Sequence, residues 1–381
     1  MLIAVNTRLL LKDRLEGMGW FAYESLKRIT KSHPEHQFLF LFDRPFAEEF
    51  IFSDNVSPIV VGPQARHPFL WYWWLEQALP KVLHKQEPDL FLSPDGFLPL
   101  SYSSPAGIKK CKFLPVIHDL YFEHYPQEIP FLASKFFKRY FKQYVKKATR
   151  IATVSEYSKQ DISSYYKISP DKIDVVYDGA NELFAPAPKG ERNFKLPLGL
   201  GQEDPYFIFV GALSPRKNVA RLLKAFDEFK TAEPSNVKLV IVGEKLFMTA
   251  EIESVLGEMK FKNDIVFTGR LGTSDLNNVL GSALALTFVP YFEGFGIPIV
   301  EAMYCDVPVI TSNVTSMPEV AGDAALLVDP FSIDSIKDAM LKIYKDQALR
   351  NKLIENGRKQ REKFSWDKTA EKLWNCIEKT I

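Results

Sequence analysis

The sequence predicts an α/β protein with parallel strands in two domains, and three observations carry that prediction. Short apolar runs recur along the chain, among them Leu2 to Val5, Lys112 to Ile117, Tyr206 to Val210 and Lys238 to Val242. Helically spaced patterns such as Trp20 to Ile29 and Val219 to Phe229 lie between them, which is the alternation of a parallel sheet covered by helices. At 381 residues the chain is long enough for two domains that each bury a core. The run Ala185-Pro186-Ala187-Pro188-Lys189-Gly190 is the clearest change of composition and reads as a linker. The domains expected are therefore 1–185 and 190–364, with a last helix over 365–381.

In chain order, Leu2 to Val5 is a first strand, and Gly17-Met18-Gly19 is a glycine loop ahead of the helix Trp20 to Ile29. His36 to Phe42 and Ile59 to Val61 read as the next two strands. Phe69, Trp71, Tyr72, Trp73 and Trp74 then form an aromatic cluster, expected as core or interdomain packing, with acceptor-facing surface as the alternative. Asp89 to Ser93 is a further strand, and Lys112 to Ile117 ends in His118-Asp119. Sites in open parallel sheets gather at the carboxyl ends of strands, so His118 is placed as a site residue and Asp119 as its structural partner.

Phe131 to Ala148 carries Lys135, Lys138, Arg139, Lys142, Lys146 and Lys147 among aromatic residues at spacings of three and four, which defines an amphipathic helix. A solvated helix covering the sheet and a peripheral contact with anionic lipid both fit it. Ile151 to Val154 leads into Ser155, a plausible helix cap. Ile173 to Val176 and the turn Tyr177 to Asn181 close the first domain.

Tyr206 to Val210 opens the second domain and runs into Gly211-Ala212-Leu213-Ser214-Pro215-Arg216-Lys217-Asn218. Two adjacent cations at a strand's carboxyl end suit a phosphate group. Lys238 to Val242 with Gly243-Glu244-Lys245, and Ile265 to Thr268 with Gly269-Arg270-Leu271, are the following strands and turns. Ala283 to Val289 is a buried strand that breaks at Pro290 into a loop holding Glu293, Gly294, Phe295 and Gly296, and Pro298 sits in the first turn of a helix. Amides of Gly294 to Ile297 at a helix start favour a bound anion such as a diphosphate. Glu293 and Glu301, eight apart, frame that anion site with hydroxyl acceptors. A nucleotide-sugar, with sugar hydroxyls on both sides of a diphosphate, matches this set.

Glu293-x7-Glu301 with Gly-Phe-Gly-Ile-Pro between the acids, followed by Val307-Pro308-Val309-Ile310 and Met317-Pro318-Glu319-Val320-Ala321-Gly322, resembles family 4 of the retaining glycosyltransferases. The resemblance spans essentially the whole chain and implies the B-type fold, two Rossmann-like domains facing across a cleft, with the final helix crossing back onto the first. It implies an amino-terminal acceptor-binding domain and a carboxy-terminal nucleotide-sugar-binding domain. It also implies that Gly17 and Gly19 face the donor diphosphate, that His118 lies near the donor sugar, and that backbone near Gly269 to Leu271 contacts the base. Lys217 and Arg216 would neutralise the leaving diphosphate, Glu293 would hold the donor sugar and Glu301 the ribose. Ala212 departs from the pattern, since many relatives carry an arginine there, and Arg216 is the expected substitute.

Several classes are disfavoured. A net charge of +1 argues against a nucleic-acid binder. No Asp-x-Asp pair is present, so the expectation is a transferase that requires neither metal nor other cofactor. No Gly-x-Gly-x-x-Gly with a distal acid points to a nicotinamide oxidoreductase. Cys111, Cys305 and Cys376 lie far apart, which fits a reducing, cytoplasmic setting. No apolar run reaches the length of a membrane span, and the first residues read as a strand rather than a secretion signal, leaving attachment to the cytoplasmic face of a membrane open. The expected reaction is transfer of a sugar from a nucleotide-sugar to a glycan or lipid-linked acceptor. GDP-mannose is preferred over a UDP-sugar because Pro-Arg-Lys-Asn and Val-Pro-Tyr-Phe-Glu-Gly-Phe-Gly resemble mannosyltransferase-like members. Alternatives are an epimerase or phosphorylase of the same fold, or a non-catalytic nucleotide-sugar-binding module.

Overall fold

The computed structural model describes residues 1–65, 67–104, 110–186, 200–201, 204–244 and 249–381. Ala187 to Gly190 of the expected linker and Lys245 of the expected turn lie outside the described residues. The chain divides into two compact units, Met1–Gly179 with Trp366–Ile381, and Ala180–Ser365.

The first unit holds seven strands: β1 (Leu2–Asn6), β2 (Gln37–Phe42), β3 (Val56–Val60), β4 (Leu90–Ser93), β5 (Lys112–Ile117), β6 (Ile151–Thr153) and β7 (Ile173–Val175), in the order β3-β2-β1-β4-β5-β6-β7. Every pairing is parallel. Helices on both faces explain the composition, because a strand covered on both sides is apolar throughout instead of alternating. Phe38, Phe40 and Phe42 of β2 and Phe91 of β4 are all essentially inaccessible to water.

The second unit repeats the scheme with β8 (Tyr206–Val210), β9 (Lys238–Val242), β10 (Ile265–Gly269), β11 (Ala285–Phe288), β12 (Val309–Ser312) and β13 (Ala325–Val328), in the parallel order β10-β9-β8-β11-β12-β13. Both orders reverse direction beside their first strand, between β1 and β4 and between β8 and β11. That reversal opens a crevice at the carboxyl ends of the two strands.

The helix Trp366–Thr380 belongs to the first unit, where Arg28 of the helix Gly17–Ser32 pairs with Asp367 at 2.5 Å and the Thr369 hydroxyl donates to the Tyr177 carbonyl at 2.6 Å. Ser155 caps the helix Glu156–Tyr166, its Oγ accepting from the Ser158 amide at 3.0 Å. Two local expectations change. Gly17 and Gly19 lie in the first turn of the helix Gly17–Ser32 and not in a loop ahead of it. A Cβ on Gly19 would sit 3.2 Å from the Leu9 carbonyl, so close packing of helix against loop accounts for that glycine. The aromatic cluster is divided: Trp74 is buried, while Phe69, Tyr72 and Trp73 are exposed. Among the described residues no helix is long and apolar enough to cross a membrane.

Candidate active site

The loops leaving β8 and β11 meet at the switch point of the second unit. The β8 loop ends in a single helical turn, Pro215–Lys217, which presents both cations side by side. Lys217 Nζ contacts Glu293 Oε2, and Arg216 Nη1 lies 3.1 Å from the same oxygen. The Lys217 ammonium also rests 4.8 Å from the centre of the Phe288 ring, over its negative face. Burial works to raise the Glu293 carboxyl, but Arg216 and Lys217 outweigh it and hold the group below its ordinary value. Two cations thus share one carboxylate.

Backbone locks fix this geometry. Asn218 adopts a left-handed conformation at φ 63°, and its side-chain amide donates to the Val289 carbonyl at 3.0 Å and the Pro330 carbonyl at 2.7 Å. It therefore ties the β8 loop to the chain leaving β11 and β13. The Tyr291 amide donates to the Arg216 carbonyl at 3.1 Å, and Ser316 Oγ lies 2.9 Å from the Glu293 carbonyl and 3.4 Å from that of Phe295. Phe295 turns its ring inward against Phe364, so only its backbone remains for a ligand. Gly296 takes φ +97°, a conformation that strains any residue with a Cβ, whereas the Met317 Cε that such a Cβ would meet at 2.9 Å is a movable tip.

The helix Ile297–Tyr304 starts directly after Gly296 and places the positive end of its dipole behind the loop. Glu301 lies in its second turn, where burial alone pushes the carboxyl up to about 8. At neutral pH it is therefore mainly protonated, able to donate as well as accept. Gly211, Gly243 and Gly269 lie at or just past the ends of β8, β9 and β10, and a Cβ on Gly243 would fall 2.0 Å from the Gly211 carbonyl oxygen. Leu271 follows the last of them, half-buried.

The first unit has its own polar cluster at the equivalent place. Arg8, just past β1, donates to Asp95 Oδ2 from Nη2 at 2.8 Å and from Nε at 3.1 Å. Asn6 Nδ2 donates to Asp95 Oδ1 at 2.8 Å, and the guanidinium lies over the rings of Trp71 and Phe97. His118 Nε2 donates to the Pro94 carbonyl at 2.9 Å, which leaves Nδ1 as the acceptor of the neutral ring. Burial lowers its pKa and favours that neutral form. Asp119 Oδ1 accepts from the Tyr121 amide at 3.0 Å.

Lys217, Arg216, Glu293, Gly294, Phe295, Gly296, Ile297 and Glu301 are thus gathered at one switch point, with Gly269 and Leu271 along the same edge of the sheet. His118, Gly17 and Gly19 belong to the other unit. Asn218, Ser316, Arg8 and Asp95 were not singled out from the sequence as site residues. A polar residue directly after the strands at a sheet's reversal is the signal that would have found Arg8 and Asp95, whereas Asn218 lies eight residues past β8 and Ser316 follows β12. Burial pushes the Cys111 and Cys305 thiols up to about 12 and that of Cys376 upward as well, so none is poised as a nucleophile.

Two Rossmann-like units of this strand order, the second with paired cations and a glycine loop at its reversal, define the B-type class of glycosyltransferase. Residues 15–182 match the model of the family described as Glycosyltransferase Family 4, and residues 191–360 that of Glycosyl transferases group 1. The chain belongs to glycosyltransferase family 4 as a mannosyltransferase-like member, and its enzyme class is hexosyltransferase. It is 24% identical over 389 residues to O-antigen chain mannosyltransferase B of Escherichia coli, covering 97% of this chain and 96% of the relative. It is 28% identical over 227 residues to O-antigen chain mannosyltransferase RfbU of Salmonella typhimurium, covering 60% and 59%. In fold it is similar to sucrose-phosphate synthase of Thermosynechococcus elongatus, with a TM-score of 0.77 at 18% identity over 99% and 98% of the two chains. Anabaena Alr3699/HepE, solved in complex with UDP and glucose, gives a TM-score of 0.73 at 17% identity over 99% of each chain.

Proposed function

We propose that this chain is a retaining, metal-independent glycosyltransferase that moves a hexose from a nucleotide-sugar, GDP-mannose before a UDP-sugar, onto a glycan or a lipid-linked glycan. The observation that carries the reading is the meeting of Lys217 and Arg216 on one oxygen of Glu293, beside a glycine loop and a helix start. A donor diphosphate at this place would draw both cations, and the charge developing on the leaving group would meet donors already in position. With its cations so engaged, Glu293 would accept hydroxyls of the donor sugar. Glu301 would hold the ribose hydroxyls, and the glycine ends near Gly269 and Leu271 would leave room for the base against backbone. His118, Gly17 and Gly19 keep the donor-side roles that the family resemblance assigns them.

In the step itself the acceptor oxygen forms a bond to the anomeric carbon on the face from which the diphosphate leaves. The bond from that carbon to the phosphate oxygen breaks with its electron pair, and the departing oxygen takes the acceptor's proton. The mannosyltransferase relatives support the mannosyl donor, and the Anabaena complex makes a UDP-sugar its competitor. The test is release of nucleoside diphosphate from GDP-mannose and from UDP-glucose with acceptor and an excess of EDTA, followed by NMR of the new linkage. Acceptor-dependent release from GDP-mannose, undiminished by EDTA, with the donor's anomeric configuration kept, is the expected result. Activity restored only by added Mg²⁺, an inverted product, or turnover without acceptor would each overturn its part of the reading.

A further inference from the structure

Two helices of the first unit place aromatic rings in water. The short helix Pro68–Trp73 carries Phe69, 73% exposed, with Tyr72 and Trp73 also exposed. The helix Phe131–Lys147 opens with Phe131 and Leu132, 70% and 66% exposed. The two helices touch: Trp71 packs on Phe136 and Phe137, and Tyr72 lies 5.6 Å from Tyr140 between ring centres. Trp71 and Trp74 anchor the short helix by donating to the carbonyls of Ala65 and Val61. The outward rings are therefore held on a rigid base.

Charge on the same surface has one sign. Lys135, Lys138, Arg139, Lys142 and Lys146 are exposed and recur at spacings of three and four, which puts them on one face of the long helix with Phe131 and Leu132. Neither helix contains an aspartate or glutamate. The Lys135 ammonium lies 4.3 Å from the centre of the Phe131 ring. A second copy of the chain is a poor occupant, because an isologous contact would set these cations against themselves. A helix with lysines beside outward aromatic residues, all on a water-facing surface, is the pattern of one lying in a bilayer interface.

We propose that the surface formed by helices Pro68–Trp73 and Phe131–Lys147 docks on anionic lipid, with Phe69, Trp73, Phe131 and Leu132 entering the headgroup region and the five cations meeting lipid phosphates. The proposal does not depend on the donor site of the second unit. Co-sedimentation of the full chain with vesicles of phosphatidylcholine, alone or mixed with phosphatidylglycerol, tests it. Binding should require phosphatidylglycerol and fall as salt rises. Replacing Lys135, Lys138 and Lys142 together by alanine should weaken partitioning about fivefold per residue, or about a hundredfold in all. The Phe69→Ser, Phe131→Ser double variant should bind weakly even at low salt. All five positions are exposed, so both variants should keep the wild-type melting temperature and nucleotide affinity. Equal binding to both vesicle types, variants that bind like wild type, or a dimer in sedimentation equilibrium that the phenylalanine variant dissolves would overturn it.

Discussion

The two switch points have the same topology and opposite chemistry. Between β8 and β11, two cations, Lys217 and Arg216, converge on Glu293 beside a sheet edge lined with glycine. Between β1 and β4, Arg8 and Asp95 balance one another, and Asn6 Nδ2 and the Phe97 amide donate to the other carboxylate oxygen. Trp71 and Phe97 wall that second place. Strand order decides where a crevice opens, and a few loop residues decide what enters it. The one with paired cations suits a diphosphate, and the neutral, aromatic one suits a ligand of hydroxyls.

Removing one partner from each pair separates the two roles. Asp95 is buried to 3% side-chain exposure, and Asp95→Ala strands the Arg8 guanidinium against aromatic rings. Breaking a buried pair in this way costs ~3–5 kcal/mol, so denaturant unfolding should show the largest loss of stability among these variants. Lys217→Ala leaves Arg216 to neutralise Glu293. It should keep the fold while lowering kcat by about 10²–10³, the usual effect of losing one donor to developing charge. If Lys217→Ala unfolds the protein as readily as Asp95→Ala, the second cluster is structural as well and the contrast disappears.

A finer comparison lies within the second unit, where two glutamates eight residues apart shift in opposite directions. Glu293 is held low by two cations, whereas Glu301 rises to about 8 because burial finds no compensating charge. In the unfolded chain Glu301 loses its proton near 4.5, and in the folded protein near 8. Between those values the folded state binds the extra proton, so stability falls as pH rises through the window, by ~1.4 kcal/mol per unit at most. Glu301→Gln should remove that slope: its melting temperature should match wild type at pH 4 and exceed it at pH 9. Equal pH profiles for the two proteins would place a hidden cation beside Glu301 and erase the contrast with Glu293.

Much of this was legible because it is local. The run Glu293 to Met303 holds a loop, a glycine that must take positive φ and a proline near the helix start within a dozen residues, and strands buried on both faces announce themselves as apolar runs. Non-local pairing was harder to see. Glu293 meets Lys217 across 76 residues of chain, and Arg8 meets Asp95 across 87, so each pair exists only once the strand order is known. Composition also fails to tell which way a ring points: Trp74 and Phe69 sit in one apolar run, one buried and the other in water. Gly17 and Gly19 show the same limit, because a glycine needed for packing at Leu9 reads like one needed for a loop.

The smallest effect belongs to two serines that do parallel work. Ser316 Oγ has one proton to give, and the Glu293 carbonyl at 2.9 Å is the better acceptor than that of Phe295 at 3.4 Å. Ser93 Oγ in the first unit lies 2.6 Å from the Phe97 carbonyl. Each alanine variant should lose ~1 kcal/mol, the net worth of one such hydrogen bond, measured by denaturant titration. Their kinetics should differ. Freeing the Glu293 backbone loosens the residue that contacts both cations, so Ser316→Ala should raise the KM for the nucleotide-sugar with little change in kcat. Ser93→Ala should leave that KM where it was. A donor KM that rises equally in both would mean that the neutral cluster also serves the donor, and the division of labour drawn from charge would have to be abandoned.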